Sequence, residues 1–483
     1  MSKIVLKTIG LILLIEAAFM LLPVIIAFIY GESDWKYFLL IIAGAAIVGG
    51  LLYLIKPSKR RMHAKEGFII VGLAWLVMSL VGAIPYVLSG LIPNYLNAVF
   101  EAVSGFTTSG VTIIADIEVG SHAILFWRSL THWIGGMGVL VFTMAVLPKS
   151  NEHSVRLMHV MRAEVPGPVV GKLVSRVKST ARILYGIYIA LTLLETVLLL
   201  AGGMPLFDAL CNTFGTAGTG GFCIWNDSIA HYHSAYADMV IGVFMLLFSL
   251  NFNLYFLLLL RQFRPVFKNS ELRWFLSIVA VATAAVMIDV RHLYPGFFTN
   301  FRYSFFQVIS VTSTTGFATA DFNQWPILSK TVLVLLMFMG ACAGSTGGGL
   351  KVGRIMLLVK TFVREVRLML HPRSVHVIRT DGKRVDEETV RGTASYFITY
   401  MLLFAGSFLL LAILDDYDMV TNATAVSACM NNIGPGLEIV GPTGNYSLFC
   451  DASKLILTLD MLAGRLELFP ILMIFAPTTW KKH

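Results

Sequence analysis

FEAVSGFTTSGV (Phe100–Val111), CNTFGTAGTGGF (Cys211–Phe222), FFQVISVTSTTGF (Phe305–Phe317) and AVSACMNNIGPG (Ala425–Gly436) are four versions of one segment. Each follows a short amphipathic stretch and precedes a long apolar one. Set on their last shared glycine, they align at Gly110, Gly221, Gly316 and Gly434, spaced 111, 95 and 118 residues apart. The pattern reads as one membrane hairpin repeated four times, with a glycine at each tip. Four such tips around one axis make a ring of backbone carbonyls, the physical basis of a cation selectivity filter.

The composition agrees with that reading. Of 483 residues, 57% are hydrophobic and only 13% charged, a balance that a soluble domain does not need and a polytopic membrane protein does. The first apolar segment, Ile9–Tyr30, follows Lys3 and Lys7. It is too long for a signal-peptide core and reads as a retained transmembrane helix. The five cysteines form no CxxC pair, so neither a disulfide framework nor a zinc site is indicated.

A net charge of +9 raises the question of nucleic acid, and the distribution of the charge argues against it. Basic residues collect in alternate loops: Lys56, Lys59, Arg60, Arg61 and Lys65; Lys149 through Arg182; Arg261, Arg264, Lys268 and Arg273; and Lys360 through Arg391, with Lys481 and Lys482 in the tail. The intervening loops carry almost none, Arg291 and Arg302 excepted. This is the positive-inside pattern, and it predicts that both termini are cytoplasmic.

The expected fold is therefore an all-α polytopic membrane protein. Four tandem helix–pore-helix–filter–helix repeats stand in a pseudo-fourfold arrangement behind two leading transmembrane helices. The divisions fall at 1–60 for the leading helices, 61–165 for repeat one, 166–268 for repeat two, 269–375 for repeat three and 376–483 for repeat four. The leading helices are expected at about 9–30 and 37–55. Outer helices are expected at about 67–90, 183–202, 274–290 and 394–414, and inner helices at about 122–147, 236–260, 331–359 and 453–476. Each is near the ~20 residues that cross the hydrocarbon. The stretches before the tips are too short and polar to span, and suit re-entrant half-helices buried in protein. The longest hydrophilic stretch, Arg364–Arg391, reads as a cytoplasmic hairpin.

A cation crossing a bilayer exchanges its water shell for protein oxygens, and backbone carbonyls supply these without a fixed charge. Aiming consecutive carbonyls inward demands dihedrals at φ > 0, where glycine has no steric penalty. The candidate ion-coordinating residues are Thr108, Ser109 and Gly110; Thr219, Gly220 and Gly221; Thr314, Thr315 and Gly316; and Asn432, Ile433 and Gly434. The half-helices aim their partially negative C-terminal ends at the ion path. The fourth tip departs from the Thr-rich pattern but keeps its glycine, so the ring is expected to be asymmetric. A single such tip would mean little in a glycine-rich membrane protein; four in one register mean more. Glu101, Asn212 and Gln307 share one offset, nine residues before the glycine, and are expected to brace the tips from behind.

Below the tips, the third inner helix is interrupted by GACAGSTGGG, Gly340–Gly349, five of whose ten residues are glycine. Each interior glycine costs on the order of 1 kcal/mol relative to alanine, so a straight helix is not expected there. The break falls between apolar stretches, within the membrane, where irregular backbone should line an aqueous path. Gly344, Ser345, Thr346, Gly347, Gly348 and Gly349 are candidate gate residues; the alternative is close helix packing through small residues. A phosphate-loop reading fails, since Lys351 lies between Leu350 and Val352 and the required GxxxxGK[ST] is absent, so no nucleotide is expected on this chain. Arg465, midway in the last inner helix, sits at a depth where charge is expensive. It is expected to project into the pore below the tips, raise a barrier to cations and touch the Gly340–Gly349 loop. The alternative is a buried ion pair with Glu467 or Asp460. Glu16, Glu195 and Asp460 lie in membrane segments with no assigned role. His132, His231 and His233 are too sparse for a metal site, and no cluster of His, Asp or Lys at one membrane face suggests an enzyme.

Taken with GACAGSTGGGLKVGRI (Gly340–Ile355), NNIGPGLE (Asn431–Glu438), AGRLELF (Ala463–Phe469) and RAEVPGP (Arg162–Pro168), the tips make the chain resemble the Trk/Ktr/HKT superfamily of potassium transporters, in its TrkH/TrkG branch. The likeness runs nearly the whole length, and the two extra leading helices favour that branch. The resemblance implies K⁺ uptake across the bacterial plasma membrane by a homodimer with one pore per chain, set among membrane lipid. It also implies a cytosolic TrkA-type ring as the nucleotide-binding regulatory partner. It places the filter at the aligned tips, the gate at the interrupted helix and an electrostatic barrier at Arg465. Glycine at all four tips favours K⁺, because sodium-preferring relatives carry serine at the position of Gly110. The Cys429-Met430 lead into the fourth tip departs from the family pattern. A proton- or sodium-coupled potassium symporter, with intramembrane carboxylates as relays, is the alternative mechanism.

Overall fold

The structure, a computed structural model, describes residues 3–56, 64–146 and 177–477. The RAEVPGP motif, the basic stretch from Lys149 to Arg176, the Lys59–Arg61 cluster and the Lys481-Lys482 tail lie outside the described residues. Apart from one hairpin pairing Arg379–Thr380 with Lys383–Arg384, the described elements are helical. That hairpin sits within the stretch read as a cytoplasmic loop, whose ends the flanking helices extend into, to Leu370 and from Glu387.

Among the described residues, six helices are long and apolar enough to cross a membrane: Lys3–Tyr30, Trp35–Tyr53, Gly67–Leu88, Arg182–Ala201, Ser270–Asp289 and Glu387–Leu414. The first two are the leading helices and the other four are the outer helices. Their outward faces are apolar and exposed, with Ile29, Leu40, Val281 and Ile413 all about two-thirds or more accessible, as hydrocarbon-facing side chains are.

Between the outer and inner helices lie four short helices: Tyr95–Phe106, Leu206–Gly218, Phe297–Thr312 and Met419–Asn431. At 12 to 16 residues they are too short to span. Two begin at side-chain caps: Asn94 accepts from the amides of Leu96 and Asn97, and Asp418 accepts from that of Thr421. Partial burial works against the charged form of Asp418, but the hydroxyl and amide of Thr421 both donate to it, and its carboxyl is held below the usual range. The last turns of all four short helices are buried, and their polar side chains are buried with them.

The inner helices depart most from the sequence expectation. The first, His122–Val146, is continuous. The second, expected unbroken over about 236–260, is two helices, Ala235–Phe248 and Phe252–Leu259, meeting at 89°. Asn251 makes that break by capping the second piece, its side chain accepting from the Asn253 amide at 2.9 Å. The third is Ile327–Met339 and Val352–Leu370, separated by the expected glycine-rich loop. The fourth, expected unbroken over about 453–476, ends at Arg465 and resumes at Phe469. Glu467 and Leu468 turn the chain there at φ 56° and 64°, ahead of Pro470. Proline can occupy a first turn but not a helix interior, so it suits a restart rather than a continuation.

Candidate functional site

The four tips have one backbone conformation. The residue two before the glycine is left-handed in each: Thr108 (φ 54°), Thr219 (55°), Thr314 (62°) and Asn432 (55°). The glycines follow at φ 74°, 76°, 83° and 104°. The residue between them, Ser109, Gly220, Thr315 or Ile433, donates its amide to the carbonyl five residues earlier, at 2.9 Å every time. A β-branched threonine at positive φ is strained by about 1–2 kcal/mol, and the same strain at three threonines shows that the surroundings dictate the turn. The fourth tip differs in sequence but not in shape, because asparagine tolerates the left-handed region.

The tips also close on one another. A Cβ on Gly110 would strike the carbonyl of Gly220, one on Gly221 that of Thr315, and one on Gly316 that of Ile433. A Cβ on Gly434 would lie 3.3 Å from the carbonyl of Ser109, which returns to the first tip. Each tip thus abuts the residue just before the next tip's glycine, in chain order, and the fourth meets the first. All twelve residues singled out in the sequence are brought into this ring. Side chains tie it further: Thr107 bonds Ser109 and Ser313 bonds Thr315, each at 2.8 Å, and Asn432 donates to Ser109 at 2.6 Å across the junction.

The residues nine positions before the glycines do hold the strands leaving the tips. Glu101 accepts from the Ile113 amide and the Thr112 hydroxyl, both at 3.0 Å. Asn212 accepts from the Cys223 thiol at 3.4 Å and donates to the Tyr232 hydroxyl at 2.9 Å. Gln307, with its amide oxygen toward the strand, accepts from the Thr319 and Ala320 amides at 2.8 and 3.2 Å. In the fourth unit that position is Ala425, and the preceding Thr424 takes over, accepting from the Leu437 amide at 3.0 Å.

Two residues of the first inner helix complete the support; the sequence reading does not single out Arg128 and weighs His132 only as a metal ligand. Arg128 is buried, paired to Glu101 at 2.7 Å, donates to the Cys223 carbonyl at 2.8 Å and lies 3.5 Å over the Phe222 ring. One turn on, His132 bonds the Gly105 carbonyl at 2.7 Å and fills the space against Gly218 and Gly220. Arginine within an apolar span is a recognisable signal of function, and its i, i+4 relation to His132 puts both on one face.

The glycine-rich loop sits directly beneath tips three and four. The amide of Gly348 donates to the Thr314 hydroxyl at 2.7 Å, and Gly347 and Gly348 pack against Ser313 and Asn431–Asn432. The loop fills the break in the second inner helix: Cys342 donates to the Ser249 carbonyl, and Phe252 donates to that of Gly344, both at 3.1 Å. Each break therefore satisfies backbone groups that the other exposes, as buried polar groups require. Glu271 clamps both ends of the loop, accepting from the amides of Ala343 (2.7 Å) and Gly353 (3.1 Å). Lys351 folds back onto the Gly347 carbonyl. Ser345 and Gly349 complete the segment; the Ser345 hydroxyl turns inward to the Cys342 carbonyl at 2.7 Å.

Arg465 reaches this loop. Its guanidinium donates to the Thr346 carbonyl at 2.6 Å and to the Gly135 carbonyl of the first inner helix at 2.7 Å. The two carboxylates considered as alternative partners are engaged elsewhere: Glu467 pairs with Arg354, and Asp460 accepts from Ser407 at 2.8 Å. The five cysteines are free thiols, and no group of three or more His, Cys, Asp or Glu that could hold a metal occurs among the described residues.

Residues 36–482 match the TrkH family, described as a cation transport protein. The chain is 35% identical to the Trk system potassium uptake protein TrkH of Salmonella typhimurium, over 99% of both chains. The chain belongs to the TrkH family. It is 33% identical to the TrkG protein of Escherichia coli K12, also over 99% of both. The crystal structure of the potassium transporter TrkH from Vibrio parahaemolyticus superposes with a TM-score of 0.89 at 30% identity, covering 99% of each chain. Membership places this chain among multi-pass membrane transporters of cations rather than among enzymes, and the all-α architecture is that of the TrkH structure.

Proposed function

We propose that the chain takes up K⁺ across the bacterial plasma membrane, with both termini cytoplasmic, through a filter formed by the four tips. The observation that carries this reading is the closed ring: four turns of one conformation, each lodged against the next. Carbonyls held this way can replace a monovalent ion's water, and four glycines at positive φ leave room for them to meet. The printed names of the relatives, Trk system potassium uptake proteins, favour K⁺ among the cations.

In this reading the Gly340–Gly349 loop is the gate. It occupies the path under two tips, and Arg465 pins it to the first inner helix while placing a positive charge below the ring. Opening requires release of the Thr314–Gly348 and Arg465–Thr346 bonds. A homodimer and a cytosolic TrkA-type nucleotide-binding ring are the proposed assembly, the ring pulling on the helix that follows the loop. Rescue of a K⁺-uptake-deficient bacterium at low external K⁺, with and without a TrkA-type partner, tests the reading; no rescue in either case overturns it.

A coupled symport has one observation in its favour. Glu16 and Glu195 are fully buried, and the Glu16 carboxylate has no hydrogen-bond partner among the described residues. Flux that follows a pH gradient at clamped voltage and disappears in Glu16→Gln or Glu195→Gln would select it over channel-like conduction.

A further inference from the structure

At the start of the Ser270–Asp289 span, away from the tips, lies a groove of about 460 Å³. It is lined by Ser270, Arg273, Trp274, Ser277 and Ile278, with Lys360 facing them from the helix Val352–Leu370. The ends of a 20-residue span fall at the two membrane–water boundaries, about 30 Å apart, so the groove sits at one boundary. Tryptophan in the first turns marks the same level.

Two cations converge on this groove, and neither makes an ion pair with a carboxylate among the described residues. Among the described residues, Arg273 donates to the Lys268 carbonyl, at 3.4 Å, and Lys360 to the Arg379 carbonyl, at 2.9 Å. The nearest acid, Asp381, is turned to the helix start instead, accepting from the Ser270 amide at 2.7 Å and from the Asn269 amide group at 3.3 Å. Two positive charges, two hydroxyls and an indole around one space are the donors a phosphodiester needs. The flanks of the groove are different. Leu276 and Val281, a turn from lining residues on one helix, and Val363, a turn from Lys360 on the other, are exposed apolar side chains, the surface an acyl chain covers.

We propose that this groove is a binding site for an anionic phospholipid of the bilayer, its phosphate between Arg273 and Lys360 and its chains along the apolar flanks. Lys360 lies on the helix that emerges from the glycine-rich loop, so an occupied groove ties that helix to the outer helix Ser270–Asp289. A basic pocket between helices at the membrane boundary is the kind of surface that holds an anionic headgroup, whereas a zwitterionic phosphocholine brings its own cation and gains little. The inference requires only that the span cross a membrane, and stands or falls separately from the ion path.

The test uses the full-length chain in neutral detergent. It is incubated with phosphatidylglycerol or phosphatidylcholine and repurified, and native mass spectrometry counts the lipid retained. The wild type is expected to keep one more phosphatidylglycerol per chain than the double variant Arg273→Gln/Lys360→Gln. The apparent affinity should differ by about thirtyfold, from two basic groups near an anionic headgroup. The charge-preserving Arg273→Lys/Lys360→Arg should retain the lipid. Ser277→Trp, which fills the groove from an exposed position and leaves both charges, should lose it, and this serves if the first variant does not fold. Equal retention by wild type and both pocket variants, or equal retention of phosphatidylcholine, overturns the site. So does displacement of the lipid by millimolar inorganic phosphate, which would make it a site for the free anion.

Discussion

The guanidinium of Arg465 and the carbonyl oxygen of Thr346 are 2.6 Å apart, and the same side chain reaches the Gly135 carbonyl at 2.7 Å. One residue of the fourth inner helix thereby joins the glycine-rich loop of the third to the uninterrupted first, across the region beneath the tips. Hydrogen bonds from a charged donor are worth about 1.5–3 kcal/mol each. Arg465→Ala removes two of them together with the charge. Cation flux in proteoliposomes should rise by about tenfold or more; unchanged or lower flux would exclude a barrier role.

Thr314→Val takes away the acceptor of the Gly348 amide while keeping the side chain's shape. A buried amide left without a partner costs about 1–3 kcal/mol, and that cost falls on the conformation in which the loop is seated. Basal flux should therefore increase, and the Rb⁺ to Na⁺ ratio should shift less than it does in variants of the tip glycines. A variant with wild-type flux and altered selectivity would show that Thr314 acts on the ion and not on the loop.

Gly316→Ser places a Cβ where the Ile433 carbonyl and Pro435 already are, at a residue with φ 83°. The strain is about 1–2 kcal/mol from the backbone alone, and the junction between tips three and four has to open to admit the atom. Discrimination against Na⁺ should weaken. Identical Rb⁺ to Na⁺ flux ratios in mutant and wild type would contradict the assignment of the ring as the selective element.

Breaking the Glu101–Arg128 pair on one side leaves a buried charge uncompensated, at about 3–5 kcal/mol. Arg128→Met should lower the thermal midpoint in detergent more than Glu101→Gln/Arg128→Met does, because the double variant strands no charge. A double variant as unstable as the sum of the single ones would argue that the two side chains act independently.

The tips were legible because what dictates them is local: glycine and small hydroxyl residues at a repeated offset, after a stretch too short to span. Even the braces at Glu101, Asn212 and Gln307 could be read from their common spacing, while Thr424 could not, since it serves the same strand from a different offset. The breaks in the second and fourth inner helices were missed for a related reason. Ser249-Leu250-Asn251 carries no glycine or proline, and its cost as a break is low only because Cys342 and Gly344 supply the missing backbone partners from about 90 residues away. Leu466–Leu468 is apolar apart from Glu467, whose partner Arg354 lies 113 positions earlier. Arg128 was in plain view as a charge among apolar neighbours, yet its purpose emerges only with Glu101 and Cys223 beside it.

Because all four quarters of the ring belong to one polypeptide, they need not change in concert. In an assembly of identical subunits, any substitution at the constriction appears on every side at once, and most such changes are lost. Here one quarter carries Asn432 where the other three carry a threonine, and all four keep the same turn. In the proposed filter, variation can therefore adjust ion preference in small increments, one side at a time, and one flank can specialise in contacting the loop without the others changing.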